Sequence, residues 1–446
     1  MPSIAKNSLA RFSADAAGLV LGGATSIMTA RWLGPAGKGE LAALVFLVSL
    51  IAQIFLCGIG DSLIVRVCQG KTTLQAATAT AILVAVIAGI AGAGFYWAAA
   101  AIQFRQDFAQ LQTGIALASA VVPLMVLYQL AISILNSQER IASSSGVMVL
   151  NSFSTAALTW LAVVWFGGGV RGAVLAMLAA AGLACVWAYL RVGSVGVKPI
   201  GKPDRQFLRF AASYGPKVQF SALLAAVAAR FDLLLVYSLA GQAAAGLYSV
   251  ALTAGVLNGM VSLALVVASF PRLAALGERA ALELALRLNR TLVACSVGTG
   301  VLLAAVMPFA LPLAFGRAYE AAIWPTMVLL AGSVFGGSQY VLARAMAARG
   351  SPRLLVESFA ISAGVMIALD FLLIPRFGIV GAAAASSLSF VAGYGRCVVE
   401  FRRITRAQHV RLILLPTIHD LAVARESLTF LLQSLMPARA KAEVAR

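Results

Sequence analysis

Residues 74–100 read LQAATATAILVAVIAGIAGAGFYWAAA, with no charged side chain among them. About 20 apolar residues carry a helix across the hydrocarbon core of a bilayer, so this stretch can span. Segments of the same character recur at 12–31, 41–64, 112–134, 146–166, 172–190, 211–238, 243–269, 285–314, 321–343, 354–374 and 379–400. The expected fold is therefore all-α, a polytopic membrane protein with about 12 transmembrane helices. The apolar/polar alternation of a membrane β-barrel is absent, and helices satisfy their backbone groups internally, as lipid demands. Composition agrees: 61% of residues are hydrophobic, 11% are charged, and the mean hydropathy is +0.93. A soluble chain could not bury that much apolar surface.

The net charge of +18 and pI near 10.4 invite a nucleic-acid reading. Position rules against it. With the N-terminus in the cytoplasm, only Arg31, Lys38, Arg105, Arg171, Arg317 and Arg376 fall on the opposite side. Lys217 and Arg230 lie within a span, and every other Lys and Arg of the 34 faces the cytoplasm. This bias sets both termini inside. The excess charge then reports topology and contact with anionic membrane lipids, and no nucleic-acid partner is expected. The sequence thus reads as a multi-pass protein of the bacterial cytoplasmic (inner) membrane. Its start has no small-residue cleavage site after a short apolar core, so it reads as the lead into a retained first span.

Landmarks recur along the chain at one offset. Gly34-Pro-Ala-Gly-Lys-Gly39 follows the first span and Gly241-Gln-Ala-Ala-Ala-Gly246 the seventh; Arg66 closes the second span and Arg272 the eighth. Phe166-Gly-Gly-Gly-Val-Arg-Gly-Ala173 and Phe377-Gly-Ile-Val-Gly-Ala382 each precede the last span of a half. Six spans separate the copies, so both halves insert the same way, as a parallel repeat. The expected organisation is an N-terminal lobe at 1–200 (spans 1–6), a C-terminal lobe at 201–402 (spans 7–12) and a cytoplasmic tail at 403–446. The Gly-, Pro- and Lys-containing segment Gly193–Gln206 joins the lobes. In the tail, residues 417–436 place Ile418, Leu421, Leu428, Leu432 and Leu435 on one helical face. An amphipathic helix on the membrane and a helix docked on cytoplasmic loops both fit that pattern.

Polar groups inside spans mark the candidate path, because ionisable residues there are costly and usually face a cavity or a partner. The first span carries Arg11, Asp15, Gly18, Gly22, Thr25, Ser26 and Thr29 along one line. Close helix packing accounts for the glycines alone, and Arg11 with Asp15 can be a local i,i+4 pair; an aqueous lining accounts for the whole stripe. In the seventh span Ser213, Lys217, Ser221 and Asp232 share a face, with Lys217 and Asp232 about 22 Å apart along the axis. Pro216 removes a backbone hydrogen bond beside Lys217. Arg230 points the other way, with snorkelling to the surface and a cavity role both open. Asp370 and Glu357 read as interfacial caps.

No enzyme signature is present. There is no DxD, HExxH or paired-carboxylate motif, no Gly-rich phosphate loop and no Ser/His/Asp constellation. Cys57, Cys68, Cys185, Cys295 and Cys397 are scattered without metal spacing, and His409 and His419 both lie in the tail. No catalytic residue, metal ligand or cofactor is expected.

Three segments carry a family resemblance: Ala30-Arg-Trp-Leu-Gly-Pro-Ala-Gly-Lys-Gly39; Arg230-Phe-Asp-Leu-Leu-Leu-Val-Tyr-Ser-Leu-Ala-Gly241 with Gly246-Leu-Tyr-Ser-Val-Ala251 and Phe270-Pro-Arg272; and Phe315-Gly-Arg-Ala-Tyr319 through Leu373-Ile-Pro-Arg-Phe-Gly-Ile-Val-Gly-Ala-Ala383. Over about residues 5–400 the chain resembles the polysaccharide-biosynthesis (Wzx-type) flippases of the multidrug/oligosaccharidyl-lipid/polysaccharide (MOP) exporter superfamily. The resemblance implies two six-helix lobes around a central cavity, and transfer of an undecaprenyl-diphosphate-linked oligosaccharide from the cytoplasmic to the periplasmic leaflet. It implies polysaccharide polymerase machinery as a possible partner. Twelve spans, without the extra pair of lipid II flippases, count against a peptidoglycan role. Arg11, Asp15, Lys217, Arg230 and Asp232 are the candidate substrate-binding residues, since cations facing water can hold a diphosphate. A multidrug exporter of the same superfamily is the alternative, and an integral-membrane glycosyltransferase or polymerase a more distant one.

Overall fold

The computed structural model describes residues 2–194, 196, 204–275, 278–348 and 353–405. The tail from 406 onward, with the helical pattern at 417–436, lies outside the described residues, as does most of the linker between the two halves.

Within that range the chain is helical. Helix α1 (Pro2–Leu56) is followed by α2 (Ile59–Cys68), α3 (Leu74–Gln103), α4 (Phe108–Ser137), α5 (Ile141–Thr159, continued by a π-helical turn over Trp160–Trp165) and α6 (Gly169–Ser194). After the linker come α7 (Arg205–Arg230), α8 (Asp232–Ala240), α9 (Gln242–Ala275) and α10 (Glu278–Phe315). A 3-10 turn, Arg317–Ala322, leads into α11 (Ile323–Ala348) and then α12 (Arg353–Thr405).

Nine described helices are long and apolar enough to cross a membrane, and the bent pair α7–α8 makes a tenth span. Two of the nine, Ser13–Leu56 at 44 residues and Arg353–Ile404 at 52, are too long for one crossing. At 1.5 Å per residue they run for about 65 and 80 Å against a core of about 30 Å. Each holds a non-helical glycine where the chain turns back: Gly34 (φ 66, ψ 179) in α1 and Gly378 (φ 56, ψ −135) in α12. Divided there, the described helices give up to twelve crossings; the segment expected at 41–64 is broken at Cys57–Gly58, between α1 and α2.

Gly241, the counterpart of Gly34, has φ 92 and ψ 174. A side chain at either position would be strained, so both Gly-x-x-x-x-Gly motifs open with the same glycine-dependent turn. Trp32, Trp160, Trp165 and Trp324 are exposed at the ends of helices on this side of the protein. Tryptophans at helix ends suit a lipid–water boundary. At the other end Glu357 is no simple cap. It accepts from Arg353 on its own turn and from Arg396 in the last leg of α12 (2.5 Å each), and Arg396 also reaches Glu400 (3.0 Å).

Lys38 corrects the reading of that residue as part of an external loop. The Gly34 turn is so tight that Lys38 already lies on the helix that follows, buried at 8% exposure.

Candidate functional site

The two repeated glycine motifs meet. A Cβ placed on Gly39 would overlap the carbonyl of Gln242 and the nitrogen of Gly246; one on Gly246 would overlap the carbonyl of Pro35. The start of the second leg of α1 and the start of α9 therefore touch backbone to backbone at the end of the bundle that carries the Gly34 and Gly241 turns. Further contacts between the two halves close the same end. Arg31 donates from Nε to the Ala314 carbonyl (2.7 Å) and from Nη2 to that of Leu313, capping α10. The Tyr319 hydroxyl donates to Ala30 O (3.1 Å), Gln103 Nε2 to Leu234 O (2.8 Å), and the Tyr237 hydroxyl to Asp107 Oδ2 (3.1 Å).

A second glycine contact lies toward the opposite end of the bundle. Gly58, in the left-handed conformation (φ 65), packs on the backbone of Gly215, and a Cβ on either would overlap the other strand of chain. Gly58 precedes Cys68 by as many residues as Gly215 follows Arg205, which puts both about 15 Å along their helices from those end residues. Gln219 Nε2 donates to Gln53 O (2.7 Å), and the Arg66 guanidinium lies 4.5 Å above the Phe210 ring. Arg66 thus has a partner across the two halves. Helix α7 runs unbroken through Pro216 despite the lost backbone hydrogen bond; its break comes at Phe231, where α8 departs at 42°.

The polar residues of the first and seventh spans lie in several environments. Arg11 and Asp15 form the local pair (3.3 Å), half-exposed. Gly18 faces Ser152 of α5, whereas a Cβ on Gly22 would meet nothing within 4 Å. At the top of the same line Ser26 and Thr29 accept hydrogen bonds from Lys38 Nζ (3.1 and 2.9 Å). On α7, Ser213 and Lys217 are exposed and Ser221 half-buried. Arg230 is exposed at the end of α7, within electrostatic reach of both Lys38 and Asp232.

Asp232 does not share the face of Lys217. The break at Phe231 turns it into the interior, where it is fully buried. It accepts from the Tyr248 hydroxyl, from Ser386 Oγ (2.5 Å) and from the Leu233 amide (2.8 Å). Asp370 is likewise fully buried rather than interfacial. Neither of its carboxylate oxygens has a hydrogen-bond partner among the described residues, and it lies in electrostatic reach of Asp232 and Tyr248. Two fully buried carboxylic groups within electrostatic reach of each other are costly as bare anions, because each desolvated charge costs several kcal/mol. The signal in the sequence was two lone acids in apolar spans, but nothing in their spacing placed them together.

The helical fold has known counterparts. A family described as polysaccharide biosynthesis protein matches residues 4–276. The chain belongs to that family. Its fold is that of MOP-superfamily transporters. An inward-facing multidrug resistance MATE transporter of that superfamily is 14% identical, with TM-score 0.71, over 90% of this chain and 100% of the other. An outward-facing MATE transporter scores 0.64 at 15% identity, over 91% and 97%. The lipid II flippase MurJ in an inward closed conformation scores 0.69 at 14% identity, over 97% and 93%. Among curated proteins none matches the chain. The family member described here is a multi-pass integral membrane protein of a transporter family, not an enzyme family.

Proposed function

We propose that this chain flips an undecaprenyl-diphosphate-linked oligosaccharide across the inner membrane, from the cytoplasmic to the periplasmic leaflet, for cell-surface polysaccharide synthesis. What supports this is membership of the polysaccharide-biosynthesis family together with the basic residues of the first and seventh spans. Lys217 and Arg230 are exposed and Arg11 is half-exposed beside its local acid Asp15, while Asp232 and Asp370 are buried. A diphosphate needs that excess of cations in a partly dry cavity. The sugars need water and small hydroxyls, which Ser213, Ser221, Thr25 and Ser26 supply. The isoprenoid tail stays in lipid.

The two six-helix lobes rock between the glycine contacts, opening one end while the other closes. Asp232 and Asp370 couple that motion to a proton or cation. A multidrug exporter would instead be expected to direct acids at its cationic cargo, and the acids here are withdrawn from the path.

Lys217→Ala is expected to lower surface polysaccharide about tenfold in a complementation assay at normal protein abundance, with Lys217→Arg retaining more. Full activity of Lys217→Ala would remove this residue from the path, and drug efflux from everted vesicles in place of lipid transfer would overturn the flippase reading. Cysteine labelling from each side should find both termini cytoplasmic and Arg105, Arg171, Arg317 and Arg376 external. A periplasmic C-terminus would break the two-lobe scheme.

A further inference from the structure

Helices α5 and α6 leave a groove of about 640 Å³ between them. The start of α6 lies beside the Gly34 turn, since a Cβ on Gly37 would meet Val170, so the groove, at the last turn of α6, belongs to the opposite end of the bundle. Small residues make the opening. Ala142, Ser143 and Gly146 begin α5, and a Cβ on Gly146 would meet nothing within 4 Å. The facing wall is Trp187 with Arg191, one turn apart on α6, the guanidinium 4.5 Å above the indole ring. Arg191 is exposed. Among the described residues its guanidinium meets no acid and donates no hydrogen bond, and the Ser143 hydroxyl makes none either. Ala142 and Ser143 lie in the first turn of α5, whose dipole also favours an anion. Further along α5 the groove turns apolar, over Leu150 and Phe153, and Phe153 is exposed. From Ala142 to Phe153 the helix rises about 16 Å, close to half of a hydrocarbon core about 30 Å thick. An unpaired cation above an apolar trough one leaflet deep is complementary to a lipid with a negative headgroup.

We propose that this groove binds one anionic phospholipid of the cytoplasmic leaflet, with its phosphate on Arg191 and Ser143 and an acyl chain along Leu150 and Phe153. The stack on Trp187 holds the guanidinium flat and leaves its N–H edge for two phosphate oxygens. Basic pockets between transmembrane helices collect anionic headgroups on that side of a membrane. Val186 and Leu190 on the adjoining face of α6 are exposed, as lipid-facing residues are. A lipid seated there ties the first turn of α5 to the last turn of α6, from which the chain passes to the linker between the halves. None of the residues proposed to hold the cargo lines the groove, so the site stands whatever the cargo is.

The test uses the purified full-length protein in phosphatidylcholine nanodiscs doped with phosphatidylglycerol that carries a photoactivatable acyl chain. Crosslinks located by peptide mass spectrometry are expected within 142–153 and around 187. Arg191→Gln should cut their yield about fivefold. Arg191→Lys should retain part of it, and Gly146→Phe should abolish it by filling the groove with the arginine still in place. Arg209→Gln, at another exposed arginine on α7, should leave it unchanged. Melting temperatures and size-exclusion profiles check that each variant is folded. Equal labelling by a photoactivatable phosphatidylcholine overturns the proposal, as does a wild-type yield in Arg191→Gln or Gly146→Phe. Loss of the label to stoichiometric undecaprenyl diphosphate makes the groove a cargo site and overturns the phospholipid. Disulfide-linked dimers of Gly146→Cys, in a background without the native cysteines and with no lipid label in the wild type, overturn it in favour of a second copy of the chain.

Discussion

Gly39→Val and Gly246→Val should each abolish polysaccharide export and leave the protein open to the periplasm. At both positions an added Cβ falls on main-chain atoms of the other half, not on a side chain that can swing away. The halves must then separate. Overpacking in a rigid contact costs about 1–3 kcal/mol, which shifts a closed–open equilibrium by roughly 5- to 150-fold. Each half is otherwise untouched, so insertion and abundance should be near normal. The measurement is modification of a cysteine at Thr25 by a membrane-impermeant reagent added from outside, in a background without the native cysteines. Labelling should rise in both variants. Gly94→Val is the control, since a Cβ there meets nothing within 4 Å. Gly215→Val should give the mirror result, with the cytoplasmic end held open, because its Cβ would strike the backbone at Cys57 and Gly58. Normal export in Gly39→Val would show that this contact is not part of the cycle.

The glycine motifs show how far the sequence alone reaches. Their recurrence marked them as a repeat, and hydropathy placed every crossing segment, because burial in lipid imposes a local and uniform demand on composition. That the two motifs touch each other was not legible. It depends on two helix starts some 200 residues apart approaching without side chains, and a single sequence records no such pairing. Lys38 was hidden differently. A lysine between glycines next to a turn looks like a loop residue, and only the tightness of the Gly34 turn puts it on the helix above Ser26 and Thr29. For Asp232 the misleading step was periodicity. Counting at 100° per residue through 211–238 assumes one unbroken helix, whereas the chain bends 42° at Phe231. Asp232 then lies in the first turn of α8, where its carboxylate meets the Leu233 amide and the dipole favours an acid.

That buried acid and its neighbour give the other large effect. Asp370→Asn is expected to leave the fold at least as stable as wild type while cutting transport by about tenfold or more. Stability should hold because the substitution exchanges a desolvated acid without hydrogen-bond partners for a neutral group of the same shape. Transport should fall because the amide cannot take up and release a proton or pair with a cation as the halves move. Asp232→Asn should behave differently. It disturbs three hydrogen bonds, from Tyr248, Ser386 and Leu233, so it should lower both transport and melting temperature. The rate of lipid transfer in proteoliposomes, under an imposed pH gradient and separately under an imposed sodium gradient, identifies the coupling ion. Whichever gradient accelerates wild type should fail to accelerate Asp370→Asn. If that variant keeps the wild-type response to both gradients, the acid pair is structural and the energy for transport enters elsewhere. If its melting temperature falls as far as that of Asp232→Asn, Asp370 carries a structural hydrogen bond, and the argument from an unpartnered carboxylate fails with it.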